Sequence, residues 1–315
     1  MTKIGIVGTG LIGRAWAAVF ARSGHNVALW DADADALARA PDLIAQGLRD
    51  HAKHGLVEDP DAAAERVAKA ASLDDALADA ALVQESGPER LDLKTDLFAA
   101  MDRAAAPETL LASSSSAIVA SRFTEGLEGR ARCLIGHPVN PPNVVPIVEI
   151  CGAPWTRADV IARAREIYER AGQVAIEVKQ EIDGFVLNRM QAVLLAEAFR
   201  LVSEGYVTAA DLDKTIKDGL GRRWAFMGPI ETIELNAPGG IADYGARYGK
   251  TLHGLASAPV TEDLFSESTI AKVAESWGGA PTQADVAKKS VWRDDRLAAL
   301  DAHLRAAKPP PGEMS

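Results

Sequence analysis

Short apolar runs and stretches of helical period alternate through the first 180 residues. Lys3 to Val7, Asn26 to Trp30, Ala81 to Gln84, Thr109 to Ala112 and Ala175 to Val178 are brief and mostly apolar, the pattern of strands buried on both faces. Arg132 to Ile135 and Ile147 to Ile150 read as a further pair, the second returning beside the first. Between the runs, Arg14 to Ser23, Leu91 to Met101 and Thr156 to Gly172 carry apolar residues at helical spacing. Residues 35–80 are alanine-rich with scattered charges and predict two or three surface helices, broken at Glu58-Asp59-Pro60-Asp61. This alternation predicts the α/β class, with a Rossmann-type doubly wound sheet. Beyond Lys179 it stops, and Phe185 to Glu204, Ala209 to Gly219, Ile230 to Leu235, Ser268 to Trp277 and Asp285 to Ala306 all read as helix. The expected organisation is a nucleotide-binding domain over 1–182 and a mainly α-helical domain over 183–315, with a frayed tail from Lys308.

Composition narrows the function classes. The 315 residues are 48% hydrophobic and 25% charged, as in ordinary globular proteins, and the net charge of −10 argues against non-specific binding to nucleic acid or an anionic membrane. Two cysteines, Cys133 and Cys151, have no metal or disulfide-framework spacing and suit a reducing cytoplasm. No signal-like apolar segment precedes the first strand, and no window is apolar enough to span a bilayer. His51 and His54 share a helix face without a third ligand nearby, so they are expected to be solvated and no metal site is expected.

The first strand runs directly into Gly8-Thr9-Gly10-Leu11-Ile12-Gly13, a helix follows, and the second strand ends in Asp31, eighteen residues past Gly13. Strand, glycine turn, helix, strand and acid come in the order a dinucleotide site needs. Gly8, Gly10 and Gly13 let backbone approach a diphosphate at a helix N-terminus. A carboxylate at the end of the second strand accepts from ribose hydroxyls and repels a 2′-phosphate, so NAD is the expected cofactor. Asp33 and Asp35 are rival acids, but position favours Asp31.

Gly136-His137-Pro138-Val139-Asn140-Pro141-Pro142 excludes helix around the histidine, because the residue before proline is driven to extended geometry and the glycine favours a turn. His137 therefore sits at the end of an element, and a returning strand would bring Glu149 to it. A carboxylate on one imidazole nitrogen fixes the tautomer and stabilises the cation formed when the other nitrogen takes a proton. The Ser113-Ser114-Ser115-Ser116 run follows another strand, so it should face the same crevice as the glycine turn and His137.

Together with Asp183-Gly184-Phe185-Val186-Leu187-Asn188-Arg189, these motifs resemble the 3-hydroxyacyl-CoA dehydrogenase superfamily over nearly the whole chain. A narrower likeness, to its lambda-crystallin or L-gulonate 3-dehydrogenase branch, rests on His137 to Pro142, Gly219 to Phe226 with Gly228-Pro229, Glu231-Thr232, Leu235-Asn236 and Trp292-Arg293-Asp294. The resemblance implies a catalytic set of Ser116, His137, Glu149 and Asn188. It also implies NAD contacts at Leu11, Ile12, Asp31, Glu89 and Lys94, and a homodimer through the helical domain. The branch has threonine where Ser115 stands, which leaves open whether Ser115 or Ser116 points inward. Asn188 lies past the expected boundary, so the second domain is expected to complete the site.

Two substrate classes remain. Residues 35–72, where many superfamily members are lysine-rich, hold five Lys or Arg against seven Asp or Glu, a balance of −2 that suits CoA poorly. Arg223, beside Trp224, offers a guanidinium fork to a small carboxylate, and Asn140 is placed with it as a substrate residue. The expected reaction is NAD-dependent oxidation of the 3-hydroxyl of a small, L-gulonate-like hydroxy acid. A hydroxyacyl-CoA dehydrogenase is the alternative, and a non-catalytic NAD-binding, crystallin-like role is a third reading.

Overall fold

The computed structural model of the chain describes residues 2–256 and 260–307, so the tail from Lys308, expected to fray, lies outside the described residues. Its strands are β1 (Lys3–Val7), β2 (Asn26–Trp30), β3 (Val67–Lys69), β4 (Ala80–Glu85), β5 (Leu110–Ser113), β6 (Cys133–Pro138), β7 (Ile147–Gly152) and β8 (Val174–Val178). They form one eight-stranded sheet in the order β3-β2-β1-β4-β5-β6-β7-β8. The first six strands run parallel, β7 pairs antiparallel with β6, and β8 runs parallel to β7.

Helices α1 (Leu11–Arg22), α2 (Ala34–Ala52), α3 (Pro60–Glu65), α4 (Leu73–Leu77), α5 (Leu91–Ala104), α6 (Ser121–Thr124) and α7 (Ala158–Arg170) cover both faces, as a doubly wound sheet requires. On one face Trp16 and Phe20 of α1, Leu48 of α2 and Tyr168 of α7 pack on Ile4, Ile6 and Leu29. On the other, Leu77, Phe98, Met101 and Phe123 pack on Val7, Val83 and Leu111. Several helix starts follow from local chemistry: Asp33 caps the Asp35 and Ala36 amides, Asp59 caps Ala62 ahead of Pro60, and Ser72 caps Asp75.

By packing, the chain divides into two compact units, Met1–Asn188 with Lys288–Ser315, and Arg189–Ala287. Of the α-helical domain anticipated over 183–315, residues 189–287 form the second unit, and Asn188 groups with the first. Helix α8 (Phe185–Ser203) begins in the first unit and continues into the second. The second unit holds α9 (Ala209–Lys214), a π-helical segment Thr215–Leu220, α10 (Gly221–Trp224), α11 (Pro229–Glu234), α12 (Gly240–Ala256) and α13 (Glu267–Trp277). Within it Met190, Val193 and Leu255 are 61%, 68% and 71% exposed. Helix α14 (Gln283–Ala306) enters the first unit at Lys288. No helix among the described residues is long and apolar enough to cross a membrane.

Four expectations are corrected. The three-residue edge strand β3 falls inside the segment read as helical, because three residues are too few to show alternation. Helix α12 went unseen because glycines at 240, 245, 249 and 254 lower its helix propensity. Strand β6 runs through Gly136 to Pro138 where a turn was expected. A Cβ on Gly136 would lie 2.1 Å from Tyr168 Oη, so this glycine answers to packing. Finally, His51 is not solvated, and His54, half-buried, is paired. His51 is 7% exposed, with Nε2 2.9 Å from Asn143 Nδ2, and His54 Nε2 lies 2.7 Å from Asp295 Oδ1 of α14.

Burial, followed by the charge of Arg22, lowers the His51 pKa from 6.5 to about 4. The unfolded chain therefore binds a proton between those values that the folded chain refuses. The stability is fully present above pH 6.5 and is lost as pH falls toward 4. By pH 5 this one group should cost on the order of 2 kcal/mol. Urea unfolding at pH 7 and pH 5 should show that loss in the wild type and a smaller one in His51→Gln; equal losses would exclude His51 as the source.

Candidate active site

The glycine turn has the geometry a diphosphate requires. Gly8 adopts φ +95°, where a Cβ would also meet Ser86 backbone atoms at 2.8 Å, and a Cβ on Gly13 would lie 1.8 Å from Gly8 O. Gly10 faces open space, and α1 starts there without a side-chain cap, leaving the first-turn N–H groups of Leu11 and Ile12 available to an anion. Asp31 Oδ2 accepts from Thr9 N at 2.6 Å and Thr9 Oγ1 at 2.8 Å, while Oδ1 accepts from Asp33 N at 2.9 Å. This fixes the carboxylate at the end of β2 with acceptor capacity remaining on Oδ1. Asp33 meanwhile caps α2, which separates it from the rival role considered above. These features fit the adenosine diphosphate end of a dinucleotide.

The antiparallel register of β6 and β7 sets His137 directly opposite Glu149. His137 Nδ1 lies 2.7 Å from Glu149 Oε2, with the two side chains 7% and 0% exposed. Glu149 Oε1 accepts from the N–H groups of Val186 at 2.9 Å and Leu187 at 3.1 Å, in the first turn of α8. Burial acts against the Glu149 charge, but the bonds to His137, Leu187 and Val186 outweigh it and hold its pKa below the ordinary carboxylate value. Phe185 is fully buried at φ +48° and packs its ring 5.4 Å from that of His137. Such a backbone is unfavourable for an aromatic residue, and the ring's burial offsets the cost. Beneath His137, Gln84 Nε2 donates to Gly136 O at 3.2 Å and to Ser114 Oγ at 2.7 Å.

Hydrogen bonding distinguishes the members of the serine run. Ser115 is fully buried, its hydroxyl 2.6 Å from Glu89 Oε1 and accepting from Ile118 N at 2.9 Å. The Ser116 hydroxyl has no partner among the described residues, and Ser116 O accepts from Asn188 Nδ2 at 3.1 Å. Glu89 Oε1 also accepts from the amides of Ser116 and Ala117 at 3.0 and 2.9 Å. Burial opposes its charge, but these bonds, with Lys94, hold its pKa down. Lys94 is 2% exposed, with Nζ 3.1 and 3.0 Å from the two oxygens of buried Glu85 and 3.6 Å from Glu89.

Thus the first unit joins His137 to Glu149, Ser116 to Asn188, and both pairs to the start of α8. Asn140 is exposed and lines a cavity with Leu11. Arg223 is exposed on α10 of the second unit and enters none of these bonds. Sequence reasoning missed Thr9, Gln84, Glu85, Phe185 and the two α8 amides. Only Phe185 left a signal, in following Asp183-Gly184. Chemically, a buried imidazole with one nitrogen on a carboxylate and the other free can take a proton.

Comparison with known proteins follows the same division of the chain. Residues 3–182 match the family model for the NAD binding domain of 3-hydroxyacyl-CoA dehydrogenase, and residues 184–276 match that for its C-terminal domain. The lambda-crystallin homolog of Mus musculus is 39% identical over 303 residues, covering 94% of each chain. The L-carnitine dehydrogenase of Pseudomonas aeruginosa is 35% identical over 303 residues, covering 96% of this chain and 94% of its own. Among solved structures, a 5-formyl-3-hydroxy-2-methylpyridine 4-carboxylic acid 5-dehydrogenase, described as an NAD+-dependent dismutase, gives a TM-score of 0.84 at 25% identity, covering 98% of this chain and 100% of that one. Likeness that runs through both family domains, on a turn shaped for a dinucleotide, makes the chain a member of the 3-hydroxyacyl-CoA dehydrogenase family and an NAD-dependent hydroxy acid dehydrogenase.

Proposed function

We propose that the protein oxidises the 3-hydroxyl of a small free hydroxy acid, of the L-gulonate or L-carnitine type, to the 3-keto acid, with His137 as base. The observation that carries this reading is the buried 2.7 Å bond between His137 Nδ1 and Glu149 Oε2. It commits Nδ1 to the carboxylate and leaves Nε2 to receive the substrate's hydroxyl proton, while Glu149 stabilises the imidazolium. Bound NAD supplies the hydride acceptor. Ser116, with its hydroxyl uncommitted, and Asn188, with a second amide proton to spare, bond the same substrate oxygen and orient its carbon.

The N–H groups of Leu11 and Ile12 take the diphosphate over Gly8, Gly10 and Gly13, and Asp31 takes the ribose. Glu89 and Lys94 serve the nicotinamide end, chiefly by ordering the serine loop. The free-acid class is supported by the −2 charge balance of residues 35–72 and by likeness to a protein named for L-carnitine. Arg223 is the proposed carboxylate anchor, with Asn140 as a second substrate contact. The exposed apolar side chains of α8 and α12 suit a homodimer formed through the helical unit, and two buried free thiols suit a reducing cytoplasm.

His137→Gln should lower kcat by roughly 10²–10⁴-fold with the NADH dissociation constant unchanged, and Glu149→Gln should also lower kcat. Activity within threefold of wild type in His137→Gln would remove it as the base. Arg223→Ala should raise KM for the free acid by about tenfold, equivalent to about 1.4 kcal/mol; an unaltered KM would remove Arg223 from the site. The substrate class is tested by NADH absorbance with gulonate, carnitine, 3-hydroxybutyrate and 3-hydroxybutyryl-CoA. Faster turnover of the thioester would reverse the assignment to free acids, and no turnover of any of them would favour a binding role.

A further inference from the structure

Between α1, α2, the β6–β7 loop and α14 lies a cavity of about 320 Å3 whose lining includes Leu11, Arg14, Asn140, Arg293 and Asp294. Arg293 is committed to Asp294, with Nε 2.8 Å from its Oδ1. Arg14 is half-buried, and its guanidinium makes no hydrogen bond or ion pair among the described residues. Partial burial, and then the repulsion of Arg39 on α2, lower the Arg14 pKa. A guanidinium partly withdrawn from water and repelled by the charge of Arg39 is unfavourable until an anion completes the arrangement. Arg14 stands three residues past Leu11, so the two share a helix face, and helical side chains lean toward the N-terminus. That direction leads to the uncapped amides of Leu11 and Ile12.

We propose that Arg14, backed by Arg39, is a second anchor for the diphosphate of the dinucleotide, gripping from the side what the N-terminus of α1 holds end-on. Two cations answer the two charges of a diphosphate, whereas a substrate carboxylate carries one. The assignment rests on the cofactor seating proposed above, with the ribose at Asp31.

Binding is read without turnover, by calorimetry of NADH, ADP-ribose and adenosine with the full-length protein. Arg14→Gln should weaken NADH and ADP-ribose by about tenfold or more and leave adenosine within twofold. Arg14→Lys should recover part of the loss, and Arg39→Gln should show a smaller loss of the same selectivity. Equal weakening of all three ligands would mark a structural effect and overturn the proposal. Unchanged NADH and ADP-ribose binding would overturn it too, and a raised KM for the hydroxy acid alongside would reassign Arg14 to the substrate carboxylate. Asp31→Asn separates the two inferences: if it weakens NADH while Arg14→Gln does not, the seating stands and the anchor fails, and if neither matters the seating itself is wrong.

Discussion

One buried carboxylate, that of Glu149, holds β6, β7 and the start of α8 in register. Its two oxygens face different elements, Oε2 the imidazole of β6 and Oε1 the opening amides of α8. A buried charge is tolerated only when its lone pairs are answered, and here three donors answer it. The constraint works in both directions. A one-residue slip between β6 and β7 would turn Glu149 to the other face of the sheet, leaving His137 without its partner and the α8 amides without an acceptor. The reversal of strand direction at β7 therefore does for the site what a parallel crossover would not: it returns the chain to His137 within twelve residues.

Around this pair, the edge of the parallel sheet is held by polar bonds between neighbouring strands. Gln84 on β4 reaches Gly136 on β6 and Ser114 after β5, and accepts from the Tyr168 hydroxyl on α7. Glu85, next along β4, takes Lys94 of α5 and Ser113 of β5. These groups are buried, so breaking one member leaves another unsatisfied, and the network specifies one arrangement of the strand ends. Glu89 extends the same logic outward by gathering the Ser115 hydroxyl and the amides of the following turn. The loop's shape thus follows from a carboxylate on the preceding connection, and it leaves the Ser116 hydroxyl uncommitted.

Much of this could be read from residue order. The glycine turn, Asp31 and the strand pair 132–150 are local patterns, and β-period spacing carried His137 and Glu149 to the same place. What stayed hidden depends on partners distant in sequence. Gly136 looks like a turn glycine until Tyr168, 32 residues on, is seen filling its Cβ position. His51 looks like a solvated helix residue until Asn143 is seen against it. Strand β3 exists because β2 offers it an edge, and nothing in three residues announces that. That the Ser115 hydroxyl is bound follows from Glu89, whose position against it no spacing reveals.

A chain of net charge −10 that takes an anionic cofactor also shows how little net charge says about a site. Fields between exposed charges decay over about 8–10 Å at physiological salt, so the many surface carboxylates are muted at the glycine turn. What stands there is short-range: backbone amides aimed by α1, whose partial charge is fixed and needs no reorganisation. Asp31 places one negative charge at the opposite end of the same few residues, held by Thr9 and Asp33. The uncapped amides of α1 and the fixed carboxylate of Asp31 thus stand beside β1 and β2, with β4 and β5 between β1 and β6, the strand that carries His137.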